Sequence, residues 1–220
     1  RSAALVDYER GLAIRRQVLG QLAEHFFTHG VSARRAAFQQ FVQAHPLVED
    51  YAKFRAAHER HRLAWSAWPA RMRDGQLQDG DYEPAAMRLH LYAQWIAHEQ
   101  LQAASEAARR HGPGLYLDLP LGVHPDSYDV WRHHAAFVRG VRVGAPPDAV
   151  FTIGQDWCFQ TLDPEAFRQD GYRYTIACLR AHLRYAGVLR LDHVMALHRL
   201  FWIPPGAAAP RGVYVRYHAE

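Results

Sequence analysis

The 220-residue chain is 49% apolar with a formal charge of +4, enough for a sizeable core, and no 18-residue apolar run suggests a membrane span. Its basic residues are nearly all arginine, Lys53 being the single lysine, and they form no block, which speaks against a nucleic-acid partner. Two cysteines, Cys158 and Cys178, are too few for a disulfide framework, and no charged-then-apolar leader is visible, so reduced thiols in a cytoplasm are expected.

The first seventy residues read as helices. Leu5, Tyr8, Leu12, Val18, Leu19, Leu22, Phe26 and Phe27 recur at roughly helical spacing up to Gly30. Ser32 can cap a second helix with Phe38, Phe41 and Val42 on its apolar face, ended before Pro46. A third runs through Val48, Tyr51 and Phe54 toward Trp65 and Trp68, whose spacing favours core anchors over a stacking platform. Residues 71–83 are polar, contain Gly75 and Gly80, and read as a linker. A long helix follows from Pro84 through Met87, Leu91, Trp95 and Leu101 to about Gly112. The expected domains are therefore 1–83, helical, and 84–220.

Leu115 to Leu117 reads as a short strand that delivers Asp118 just before Pro120 stops the ladder. Pro125–Trp131 and Gly144–Asp148 read as loops, with two prolines stiffening the approach to Asp148, and Gly154–Trp157 reads as a loop tip bearing Trp157. Asp163-Pro-Glu165 is a compact helix start, and the helix after Gly171 ends at Gly187. The apolar run Val188–Met195 then reads as a buried strand with Arg190, Asp192 and Val194 on one face. Strand, helix, strand in that order predicts a parallel pair. An arginine beside an aspartate on a strand face favours the ionised carboxylate and fixes its direction. A structural ion pair is the alternative reading.

Arg190-Leu-Asp-His193, followed by Arg199-Leu-Phe-Trp-Ile-Pro204 and Gly212-Val-Tyr-Val-Arg-Tyr217, resembles the amylomaltase (4-α-glucanotransferase) family. Tyr51-Ala-Lys-Phe54, Trp65-Ser-Ala-Trp-Pro69, Asp118-Leu-Pro120, Gly144-Ala-Pro-Pro-Asp148 and Gly154-Gln-Asp-Trp157 extend the resemblance over nearly the whole chain. It implies an α/β fold: part of an α-amylase-like (β/α)8 barrel, about strands three and four, with a helical insertion subdomain. It also implies Asp192 as catalytic nucleophile and Arg190 as its charge partner. His193 and Asp118 would contact the sugar, and Asp148 and Trp157 would lie on a loop at the acceptor end. The substrates would be maltooligosaccharides and other α-1,4-glucans, with no cofactor and no metal; the oligomeric state is left open. The family's usual Gly-x-Pro-Pro after Gly-Gln-x-Trp is replaced by Cys158-Phe-Gln-Thr161, which puts acceptor preference in question.

Retaining glycosyl transfer needs two carboxyl groups about 5–5.5 Å apart, one attacking the anomeric carbon and one moving a proton. The resemblance puts the acid/base glutamate on a fifth strand and a third carboxylate on a seventh, and neither motif occurs in these residues. The chain is thus expected to be a central fragment that does not catalyse alone. Its fifteen histidines include no HExxH-type set, and no Gly-x-Ser-x-Gly elbow is present. The rival reading is a non-catalytic α-glucan-binding protein on a decayed enzyme scaffold.

Overall fold

The computed structural model describes residues 5–217. Residues 1–4 and 218–220, the outer ends of the two expected domains, lie outside the described residues. The chain divides into two compact units. One comprises residues up to 72 together with 76–101, the other 73–75 together with 102 onward. The division thus falls inside the long helix and not at 83/84, because the first two-thirds of that helix packs with the helices before it.

The first unit is helical. Helix α1 (Tyr8–His29) starts at Asp7, whose carboxylate accepts the Arg10 N–H at 2.9 Å, and ends at Gly30. Helices α2 (Ser32–Ala44) and α3 (Val48–His61) follow, then a short turn of helix, α4 (Ala70–Arg73), and α5 (Pro84–His111). Ser32 does not cap α2 as expected. Val31 is the extended residue at φ −67° and ψ 153°, so Ser32 is already helical and no side chain caps that end.

The core of this unit is Phe26, Phe41, Val48, Ala52, Leu91 and Trp95, with Phe27, Phe38 and Tyr92 packed around it. Trp95 is 1% exposed and meets Phe26 at 5.0 Å and Phe38 at 5.5 Å between ring centroids. A buried aromatic of this kind is worth roughly 3–5 kcal/mol against alanine. Trp65 and Trp68 are buried, and Trp68 Nε1 donates to the Leu63 carbonyl at 3.2 Å, so both act as packing anchors. At the rim, Arg16 grips Glu59 with both nitrogens at 2.5 and 2.6 Å, and His90 Nε2 lies 2.9 Å from the same carboxylate.

The second unit contains β1 (Leu115–Leu119), α6 (Tyr128–Arg132), β2 (Phe137–Ala145), β3 (Gln155–Leu162), α7 (Pro164–Gln169), α8 (Arg173–Leu183), β4 (Ala186–Leu191), β5 (Arg199–Ile203) and β6 (Val213–Arg216). Asp163 caps α7 by accepting the Glu165 and Ala166 N–H groups at 2.9 Å, with Pro164 in the first turn. Strands β1 and β4 pair in parallel with α8 between them in sequence, the expected connection. Their approach is close at the start of β4. A Cβ on Gly187 would lie 1.6 Å from the Pro113 carbonyl oxygen, so only glycine fits there.

Two expectations are corrected here. The strand expected over 188–195 runs over 186–191 and is not buried: Val188 and Leu191 are about two-fifths exposed, since β1 is β4's one neighbour among the described residues. It stops because His193 turns into the left-handed region at φ 48°. The start of the loop read at Gly144–Asp148 and most of the loop tip read at Gly154–Trp157 instead belong to β2 and β3, which join β5 and β6 in an antiparallel sheet ordered β3-β2-β5-β6. Phe201 and Ile203 of β5 pack with Ala209 to form a core cluster in this unit.

Candidate active site

The strand register sets the first contact. Asp118 on β1 stands opposite Arg190 on β4, near the carboxyl ends of both strands. Arg190 Nη1 reaches both Asp118 oxygens at 3.2 Å, while Nη2 donates to Asp192 Oδ1 at 2.7 Å. One planar cation thus aims two carboxylates, a task its forked donors suit and an ammonium would do poorly. The three side chains are 42–59% exposed, so water and ligands can reach them. The hydrogen bond to Asp118, then the charges of Asp118 and Asp192, raise the Arg190 guanidinium further above its ordinary value. Asp192 lies one residue beyond β4, so its bond to Arg190 comes from the turn and not from a shared strand face.

That turn also presents His193. Its ring meets Trp157 edge-on, with centroids 5.1 Å apart and planes at 85°. The Nε2 atom of His193 is buried without a hydrogen-bond partner among the described residues.

Trp157 gets there through an irregularity in β3. Val143 pairs with Phe159, but its neighbour Gly144 pairs with Asp156, which leaves Trp157 and Cys158 as extra residues in the ladder. A bulge of this kind bends a strand and redirects a side chain. Cys158 carries the turn at φ 56°, a conformation costly for a residue with a Cβ. Gly144 permits the tight pairing: a Cβ there would lie 2.0 Å from the Gln155 carbonyl oxygen. Trp157 Nε1 donates to Gln155 Oε1 at 3.1 Å.

Five of the six residues expected from the sequence therefore come together: Asp118, Arg190, Asp192, His193 and Trp157. Asp148 does not join them by any hydrogen bond or ion pair among the described residues. Its Oδ1 accepts the Val150 and Phe151 N–H groups at 2.7 and 2.6 Å, closing its own turn in the β2–β3 connection.

Two residues went unnoticed in the sequence. Asp156 accepts from Arg142 Nε at 2.6 Å and from the Cys158 N–H at 2.9 Å. Partial burial alone would raise the Asp156 carboxyl, but Arg142 and the Cys158 N–H outweigh it and hold it below the usual range. The available signal was an acidic residue inside Gly154-Gln-Asp-Trp157. Among the described residues no group of three or more His, Cys, Asp or Glu is arranged to hold a metal ion. No helix among them is long and apolar enough to cross a membrane.

A family model described as 4-alpha-glucanotransferase matches residues 1–220. The chain belongs to the 4-alpha-glucanotransferase family. It is 38% identical to a 4-alpha-glucanotransferase of Mycobacterium tuberculosis, over 77% of this chain and 24% of that protein. It is 30% identical to one from Haemophilus influenzae, over 99% of this chain and 34% of that protein. The chain thus spans a quarter to a third of these curated relatives.

Among solved structures in the family, amylomaltase from Corynebacterium glutamicum superposes with a TM-score of 0.76 at 30% identity, over 94% of this chain and 28% of that one. Amylomaltase from Streptococcus agalactiae, solved in complex with acarbose, has a TM-score of 0.84 at 22% identity, over 96% of this chain and 45% of that one, a likeness of fold.

Proposed function

We propose that these residues are the nucleophile-bearing part of a cytoplasmic 4-α-glucanotransferase that exchanges segments between α-1,4-glucans on a (β/α)8 barrel. Strands β1 and β4 would be about the third and fourth of that barrel, and the helical unit its insertion. The observation that carries the reading is the Arg190 guanidinium holding Asp118 and Asp192 at the carboxyl ends of adjacent parallel strands, where such barrels place their sites.

In this reading an Asp192 oxygen attacks the anomeric carbon of the donor. The bond from that carbon to the bridging oxygen breaks, and the departing sugar oxygen takes a proton from a carboxylic acid. A hydroxyl of the acceptor glucan then gives its proton to that same group and displaces Asp192, restoring the configuration. The acid/base carboxyl is expected on a fifth strand and has no matching motif in these residues. Arg190 holds the Asp192 carboxylate in a fixed direction through the bond at 2.7 Å. Asp118, whose oxygens stay open to solvent, accepts hydrogen bonds from ring hydroxyls. His193 lies beside Asp192 in the sugar site, and Trp157, edge-on to it, offers a flat face to a sugar. Asp148 acts at the acceptor end through the loop it shapes.

The test is redistribution of maltotriose by the longest natural chain carrying these residues, beside its Asp192→Asn variant. Longer oligosaccharides and glucose should form, and the variant should lose at least about a thousandfold in rate. An intact long chain that binds maltooligosaccharides without redistributing them would overturn the enzyme reading.

A further inference from the structure

We propose that Arg142 and Asp156 are positioning residues that hold the Trp157–Cys158 bulge in place and thereby set how well the acceptor sugar is bound. The inference rests on the reading of Trp157 as a sugar-facing residue, and it assigns a role to two side chains outside the group around Asp192.

The geometry is a three-point tie. Asp156 uses one oxygen for Arg142 Nε at 2.6 Å and the other for the Cys158 N–H at 2.9 Å. Arg142 Nη2 continues to the Ala207 carbonyl at 3.0 Å, on the connection between β5 and β6. Trp157 lies between the two anchored residues, its indole N–H donating to Gln155 Oε1 at 3.1 Å and its ring meeting His193 edge-on. Arg142 and Asp156 are each 30% exposed, so solvent screens this pair less than a fully exposed one.

The tie also answers the strain at Cys158. A left-handed residue with a Cβ persists only where its surroundings enforce it. An aspartate accepting the N–H two residues on favours this kind of turn. Without Asp156, Cys158 would relax toward extended backbone, the bulge would shift along the ladder, and the indole would lose its edge-on contact with His193 at 5.1 Å. Glycine at 158 would hold the turn without help, so Asp156 and the residue at 158 should be coupled.

The experiment uses the full-length enzyme with Asp156→Ala, Cys158→Gly and the double variant. Acceptor KM is measured with glucose, alongside kcat and the thermal midpoint. Asp156→Ala should raise acceptor KM roughly fivefold with kcat little changed, and adding Cys158→Gly should restore most of it, since coupled neighbours are not additive. Indole emission corrected by a Trp157→Phe reference should shift in Asp156→Ala and return in the double variant, a readout that needs no activity. Unchanged emission and acceptor KM in Asp156→Ala would overturn the inference, as would a loss the Cys158→Gly change does not rescue. If Asp192→Asn abolishes transfer while acceptor KM ignores Asp156, only the positioning role falls. If Asp192→Asn stays active, the reading of the reaction falls and the emission data alone decide whether the tie holds the bulge.

Discussion

Arg190 and Asp118 face each other across two parallel strands, and the guanidinium that reaches both Asp118 oxygens at 3.2 Å also holds Asp192 at 2.7 Å. The arrangement needs a cation with donors pointing two ways. Arg190→Lys keeps the charge but can serve one carboxylate at a time, so the other loses its direction. In the full-length enzyme kcat/KM should fall roughly tenfold or more with the thermal midpoint nearly unchanged, because these side chains are too exposed to carry much stability. Wild-type turnover in Arg190→Lys would show that charge alone suffices.

Glu59 predicts an acid dependence of the helical unit. Burial alone would raise its pKa, but His90 and Arg16 together hold it at about 2 against an ordinary 4.5. A carboxylate depressed in the folded state stabilises fully above its unfolded value and loses that contribution as pH falls toward the folded one. Glu59→Gln should therefore lower stability by about 1–2 kcal/mol at pH 7, a modest amount because Arg16 stays half-exposed. The gap between wild type and variant should close between pH 4.5 and 2. Urea unfolding at pH 7, 4 and 2.5 measures it, and a gap that persists at the lowest pH would contradict the ion-pair account.

The start of β4 tolerates no side chain at 187. Ala at this position would press its Cβ to 1.6 Å from the Pro113 carbonyl oxygen and 2.8 Å from Gly114 Cα, both backbone atoms that cannot swing aside. Gly187→Ala should cost about 3 kcal/mol and separate β1 from β4. Because that pair aligns Asp118 with Arg190, activity of the full-length enzyme should drop at temperatures where the protein is still folded. A variant as stable and active as wild type would mean that the two strands can part without consequence.

The helical unit was legible because its punctuation is strong: Gly30, Pro46 and Pro84 bound helices whose aromatic residues recur at helical spacing. The antiparallel sheet was not. In Phe137–Ala145 arginines and glycines interrupt the apolar alternation, and the extra residues in β2 and β3 break the period that would have marked a hairpin. Sequence spacing brought Arg190 and Asp192 together, but for an incomplete reason. The strand ends before Asp192, and the left-handed φ of 48° at His193, which no composition signals, makes the turn. Asp156 escaped notice because its bonds to Arg142 and to the Cys158 N–H follow from the β2–β3 pairing and its bulge, which the sequence did not signal.

The bridge from β4 to β5 has a mechanical meaning. Asp192 and His193 open a short link that passes through one tight turn, Val194–Leu197, before Arg199 enters an inner strand of the other sheet. A link this short between two hydrogen-bonded ladders has little slack. It works as a ruler whose zero mark is the carboxylate of Asp192. Lengthening it by one residue would be felt at that carboxylate before either sheet gave way, so insertions between 192 and 198 should be far harder to accommodate than insertions in the β2–β3 connection.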